Sequence, residues 1–309
     1  MSVALKPRIS RPRNLGSPSG HPPALGNFSF IIHEIIGEAG VHHHWSGTGC
    51  LSIKSFSGCD AFYNVGCGRY RVDHDSYLIL NQSQPYEIIV DAEKRAESFC
   101  LFFEDGFAEE VHYAVTAPVM KLLDDPQGSG QSPIYFFEKN YLHDETLSPA
   151  LFRFKAALPQ NKPDEIWINQ QLHTILEKLL LVHRGVCAEI ESLPATRATT
   201  REELYRRIHR AKDFITASFD QSISIDEMAG VACLSPNHFL RTFRQAFHQT
   251  PHQFLTAHRL ERAQNLLRRT DLSVTEVCLS VGFQSLGSFS SLFRRKFGMS
   301  PDKFRREKR

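Results

Sequence analysis

The chain has 309 residues, 41% of them hydrophobic and 23% charged, enough for two domains that each bury a core, in the composition of an ordinary globular protein. No apolar run approaches the roughly 20 residues that cross a bilayer, and residues 1–25 carry basic side chains without an apolar stretch. A membrane role and a secretory signal are therefore not expected, and the cytoplasm is the expected compartment.

Charge is divided unevenly: residues 201–309 carry 19 Lys+Arg against 11 Asp+Glu, and residues 1–200 carry 17 against 23. A basic block on an acidic body is the outline of a nucleic-acid-binding module, though charge runs also occur as plain solvated faces. The seven cysteines, at 50, 59, 67, 100, 187, 233 and 278, form no Cys-x-x-Cys pair and no zinc-type Cys/His spacing. Most of them read as small core residues, with redox sensing as the alternative.

Residues 1–26, rich in Pro, Ser, Gly and Arg, read as a flexible arm. Residues 27–190 read as one domain. Its first part, 28–104, holds short β-prone runs such as Phe30–Ile36, Leu51–Phe56, Arg69–Val72, Tyr77–Leu80, Tyr86–Val90 and Phe99–Phe103, separated by breakers. That spacing predicts a β-sandwich or small barrel. Helical patterning fills 106–186, most clearly over Asp164–His183, where Leu172, Ile175, Leu176 and Leu179 fall at i, i+3, i+4, i+7. Such a helix either packs on its own sheet or forms a subunit interface. Residues 191–199 read as a linker, and Thr200 with Glu203 predicts a capping box opening the next domain, 200–309.

That last domain contains an internal repeat. Ile225, Met228, Ala229 and Ala232 recur as Val274, Val277, Cys278 and Val281, 49 residues on, each run behind a serine, Ser224 and Ser273. Phe239, Phe243 and Phe247 recur as Phe289, Phe293 and Phe297, and Pro251 and Phe254 as Pro301 and Phe304, now 50 residues on. A short helix, a tight turn and a second helix with aromatics at i, i+4, i+8 predict a helix-turn-helix, twice over, at 224–247 and 273–297. A connecting helix from about His252 to Arg269, with Pro251 at its first position, can hold both second helices on one face of a duplex, in major-groove segments about 34 Å apart.

These residues resemble the AraC/XylS family of regulators. The resemblance covers about Glu203 to Arg305 and rests on Ile225-x-x-Met-Ala, Arg241-x-Phe-Arg, Thr250-Pro-x-x-Phe, Arg259-Leu-x-x-Ala and the run from Val281-Gly-Phe-Gln-Ser to Phe297-Gly-x-Ser-Pro. It implies a cytoplasmic, sequence-specific regulator of transcription, commonly an activator answering a small-molecule effector, with double-stranded DNA and RNA polymerase as partners and a possible homodimer through the N-terminal domain. The fold it implies is α+β with two domains: an N-terminal cupin-like β-barrel or sandwich with a helical appendage, and a C-terminal all-α double helix-turn-helix. No cofactor, catalytic residue or enzymatic activity is expected.

On the first recognition helix, about Ser235 to Phe247, inward phenylalanines leave Asn237, His238, Leu240, Arg241 and Arg244 on or near the outer face. Arg241 suits guanine and Asn237 suits adenine. Positions 237, 240 and 241 match those that read bases in family members, and Leu240 departs from the polar residue expected there. Arg244 reads as a phosphate contact or a solvated residue. On the second, about Ser285 to Phe297, Ser288, Ser290 and Ser291 offer limited readout or act only as caps, while Arg294 and Arg295 grip the backbone.

In the N-terminal domain, Tyr63, Tyr70, Tyr77 and Tyr86 are candidate effector-lining residues, or core tyrosines with their hydroxyls at an edge. His42 and His44 form the His-x-His of metal-binding cupins, but the acidic residue that should follow is replaced by Trp45-Ser-Gly-Thr-Gly. They are read as a strand end or pocket rim, and no metal is expected. The alternatives are a cupin enzyme with a DNA-binding tail, an alkylation-repair regulator, whose clustered cysteine site is missing here, and a constitutive DNA-binding protein whose N-terminal domain only dimerises.

Overall fold

The computed structural model describes residues 28–35, 42–91, 96–126, 128, 130–160, 164–193 and 197–308. The arm expected at 1–26 lies outside them. The chain divides into two compact units between Pro194 and Ala195. No helix among the described residues is long and apolar enough to cross a membrane.

Eight strands open the first unit: β1 (Phe28–Ile35), β2 (His42–Thr48), β3 (Ser52–Ser57), β4 (Asp60–Val65), β5 (Gly68–Val72), β6 (Ser76–Leu80), β7 (Pro85–Asp91) and β8 (Ala96–Phe103). Helices α1 (Phe107–Thr116) and α2 (Val119–Asp124), strand β9 (Asn140–Leu142), and helices α3 (Ser148–Gln160) and α4 (Glu165–Glu191) follow. The strands form a five-stranded sheet, β1-β8-β3-β6-β9, and a four-stranded sheet, β2-β7-β4-β5. Side chains alternate across each strand, and one face of each sheet turns toward the other. Phe56, Leu78 and Leu80 pack there with Ala61, Tyr63, Val65, Tyr70, Val72 and Val90.

The far side of the five-stranded sheet is covered as well. Phe99 meets Phe154 of α3 with ring centres 6.4 Å apart, and Phe154 stacks on Trp167 of α4. The periodic leucines and isoleucine of α4, Leu172, Ile175, Leu176 and Leu179, are fully buried. Asp164 caps this helix by accepting from the Trp167 amide at 2.7 Å, and the helix continues to Glu191, beyond the His183 expected. Strands β2, β4 and β9 are not among the β-prone runs named from the sequence. β2 is the polar segment HHHWSGT, held by its pairing to β7, β4 carries Asp60 and Asn64, and β9 is three residues long.

The second unit is helical: α5 (Ala198–Ala217), α6 (Ile225–Val231), α7 (Pro236–Phe247), α8 (Pro251–Arg269), α9 (Val274–Ser280), α10 (Leu286–Phe297) and α11 (Pro301–Lys308). A single apolar cluster runs through it, from Ile208 and Ile215 through Phe239 and Phe243 to Leu260, Val277, Phe289 and Phe293. The capping box expected from Thr200 does not form. Helix α5 already starts at Ala198 behind Arg197, with no side-chain cap, so Thr200 lies inside it. Capping boxes stand instead at the entries to α6, α8 and α9, built by Ser224 with Glu227, Thr250 with Gln253, and Ser273 with Glu276.

Candidate nucleic-acid interface

Each half of the second unit builds the same turn. In the first, the Cys233 and Leu234 amides donate to the carbonyls of Gly230 and Ala229, at 2.9 and 3.0 Å. Forty-nine residues later, Gly282 and Phe283 donate to Leu279 and Cys278, both at 3.0 Å. The chain turns through a left-handed residue in both, Cys233 at φ 51° and Gly282 at φ 84°. Capping-box carboxylates fix the entry to the helix before each turn. The backbone amide and hydroxyl of Ser224 hold Glu227 below the usual carboxylate range, and those of Ser273 do the same for Glu276.

The helices after these turns are pinned by their aromatic stripes. Phe239 and Phe243 of α7 and Phe289 and Phe293 of α10 are completely buried. Phe243 packs edge-on to Phe247 and Phe254, and Phe293 meets Phe297 and Phe304 in the corresponding way. The opposite faces are therefore left to solvent. On α7, Asn237, Arg241 and Arg244 are exposed, while His238 and Leu240 are half-buried flanks. On α10, Gly287, Ser288, Ser291, Arg294 and Arg295 are exposed, and Ser290 is half-buried. The side chains of Asn237, Arg241, Arg244, Arg294 and Arg295 make no hydrogen bond or ion pair among the described residues, so their polar groups remain free for a partner. Ser285 is a cap, its hydroxyl accepting from the Ser288 amide at 3.3 Å.

Two residues act on this face without lying on it. Arg259 of α8 donates to the carbonyls of Phe219, at 2.6 Å, and Gln221, at 2.7 Å, and its guanidinium lies 5.7 Å from the Phe283 ring. It thereby ties the loop after α5 to the second turn. The sequence offered Arg259 only as part of a family string. Lys296, the neighbour of Arg294 and Arg295 in the chain, reaches back to α8, donating to the Ala257 carbonyl at 2.9 Å and to Glu261 at 2.7 Å.

The residues singled out in the first unit separate into two groups. Tyr63, Tyr70 and Tyr86 belong to the interior between the sheets, with Tyr63 and Tyr86 ring centres 5.8 Å apart. Tyr77 does not join them. It lies on the other face of its sheet, stacked on Tyr141 and donating to Asp144 at 3.0 Å, because β6 places it one residue out of phase with Leu78 and Leu80. His44 is exposed and bonded to Glu87 at 2.5 Å. His42 pairs through its backbone with Asp91 at the end of β2, and its side chain lies outside the described residues. Among the described residues, the one group of three clustered ligand-type side chains is Asp73, His74 and Asp75, in the turn between β5 and β6.

Comparison with known proteins bears on the second unit. Residues 228–307 match a family model described as a helix-turn-helix domain. The melibiose operon regulatory protein of Escherichia coli strain K12 is 33% identical over 93 residues, covering 30% of this chain and 31% of that protein. The transcriptional regulator MtrA of Neisseria gonorrhoeae is 39% identical over 84 residues, covering 27% of this chain and 28% of its own. The transcriptional activator RhaS of Klebsiella pneumoniae strain 342 is 29% identical over 179 residues, covering 50% of this chain and 64% of that one. The chain thus spans about a third of the length of the first two relatives and 64% of the third. Over residues 228–307, the second unit of this chain is thus a helix-turn-helix domain of the AraC/XylS type of transcription regulator.

Proposed function

We propose that the protein is a sequence-specific regulator that binds double-stranded DNA through α7 and α10 and acts as an activator under the control of a small-molecule effector held in its β-barrel. The observation that carries the reading is the doubled unit itself: two matched helices, rooted in one core by phenylalanines, each present a polar, unengaged face. Arg241 and Asn237 supply base-reading groups, with His238 and Leu240 beside them, and Arg244, Arg294 and Arg295 supply phosphate contacts. Ser288, Ser290 and Ser291 give the second helix short-range polar contacts at most. The sense of an activator is supported by the relative described as a transcriptional activator. On this reading RNA polymerase is a partner, the first unit is the site of effector binding and of any homodimer, the protein works in the cytoplasm, and it carries out no catalysis.

Selection of bound duplexes from a random pool tests this directly. The purified protein is expected to prefer its selected sequence over bulk competitor by about a thousandfold or more at physiological salt. No preference at that ionic strength would overturn the proposal.

A further inference from the structure

The interior of the barrel contains a lysine. Lys54, in the middle of β3, is 2% exposed. Its register partners are Leu78 and Cys100, which places it on the sheet face that looks into the barrel. Its Nζ stands 3.7 Å from the centre of the Phe102 ring and 5.5 Å from that of Tyr86. Among the described residues no carboxylate pairs with it and no group accepts a hydrogen bond from it. Two residues earlier on the same face, the Ser52 hydroxyl is buried with no hydrogen-bond partner. Buried charges in proteins are ordinarily paired, and buried hydroxyls ordinarily bonded. Two aromatic faces offset only part of the ammonium's lost hydration.

The surroundings narrow what can complete this pair. The inner-face positions of β3 to β8 carry no carboxylate and no carboxamide: beside Lys54 and Ser52 they hold Phe56, Ala61, Tyr63, Val65 and similar residues. An amine would meet a like charge there, and a polyol would find few acceptors. A single cation matches a single negative charge. Phe102, Tyr86 and Trp45 are half-buried, so the wall beside the ammonium is a part of the interior that reaches solvent. Burial holds the Lys54 amine below its usual range, opposed weakly by the Cys100 and Cys50 thiols, and it pushes the Tyr63 and Tyr86 phenols up, keeping them neutral donors.

We propose that Lys54 and Ser52 anchor the carboxylate of a small monoanionic effector whose apolar or aromatic body packs on Phe102, Tyr86 and Tyr63. This rests on the effector-binding role proposed for the barrel. The ammonium and the hydroxyl both donate to the carboxylate, whose arrival favours the protonated amine and so draws in a proton wherever the empty site is neutral.

Thermal melts of the full chain with matched probes decide it, using 3-phenylpropanoate, 3-phenylpropanamide and 3-phenylpropylamine, and likewise hexanoate, hexanamide and hexylamine. At least one carboxylate is expected to raise Tm with concentration while its amide and amine do not. The Lys54→Met variant, close in shape, is expected to lose that response. Ser52→Ala, which keeps the lysine, is expected to weaken it by tenfold or more and serves if Lys54→Met does not fold. A Tm that no carboxylate raises above its amide, or an undiminished response in the variants, overturns the proposal. Stabilisation by the amides or amines alone would overturn it too, while leaving a ligand-binding barrel standing. Failure of the DNA selection would strike the regulator reading instead, whatever the melts give.

Discussion

Fifty residues separate Asn237 and Arg241, on the outermost line of α7, from Gly287 and Ser291, which hold the same places on α10. Further along the same line the two helices agree, in Arg244 and Arg294. Inside, their phenylalanines agree, Phe239 with Phe289 and Phe243 with Phe293. The backbone differs in a second way. The first copy puts side-chain-bearing residues at both of its left-handed positions, Cys233 in the turn and His248 at the helix end, where the second has Gly282 and Gly298. A left-handed residue with a Cβ costs about 1–2 kcal/mol. The first copy therefore carries long polar side chains on a slightly strained frame, and the second carries short ones on a relaxed frame. Packing holds the inner faces alike, and nothing in the fold holds the outer faces alike.

Five substitutions break or sharpen that contrast. The largest effect is expected from Gly282→Ala. Its Cβ would lie 2.7 Å from the Asp220 carbonyl oxygen at a φ that disfavours any side chain, for a loss of about 2–4 kcal/mol in denaturant unfolding of the second unit's transition. An effect as small as that of a surface change would mean the two turns are equally tolerant. Next, Arg241→Ala should cost about 1–3 kcal/mol of binding to the selected duplex and relax preference at one base pair, while Ser291→Ala leaves the binding profile nearly unchanged. Equal losses from the two would erase the distinction between a reading and a gripping half, and a uniform loss over all sequences would make Arg241 a phosphate contact. Arg294→Ala should lower affinity evenly and reduce the salt slope by about 1; a change in sequence preference would contradict its assignment. The smaller of the two stability changes is expected from Cys233→Gly, which should stabilise the first turn by up to about 1 kcal/mol, the strain relieved being partly offset by backbone entropy.

The repeat was plain in the sequence because its apolar positions face one core at helical spacing, and the structure buries Met228, Val277, Phe239 and Phe289 as that spacing requires. The same reasoning worked for Leu172 to Leu179 in α4. It failed where both faces of an element are covered. In Ser-Ile-Lys-Ser-Phe of β3, alternation reads as one buried and one solvated face, which would send Lys54 to water. Helices cover one side of that sheet and the second sheet covers the other, so the lysine has no wet side to take. Tyr77 was grouped with Tyr63, Tyr70 and Tyr86 by residue type, and only the register of β6 separates it from them. Arg259 and Lys296 looked like two more basic residues in a basic block. Their partners are backbone carbonyls of Phe219, Gln221 and Ala257, and a sequence pattern does not display which carbonyls are left over.

Phe239 and Phe243 share one cluster with Phe289 and Phe293, and α8 runs between the two halves with Leu260, Ala263 and Leu267 in that same cluster. Neither half has a hydrophobic interior it can keep if the other is cut away. On the reading proposed here, the protein then measures DNA with a fixed gauge. Adding or removing a few base pairs between the two contacted stretches would rotate one of them away from its helix, because the spacer is a packed helix and cannot stretch to follow.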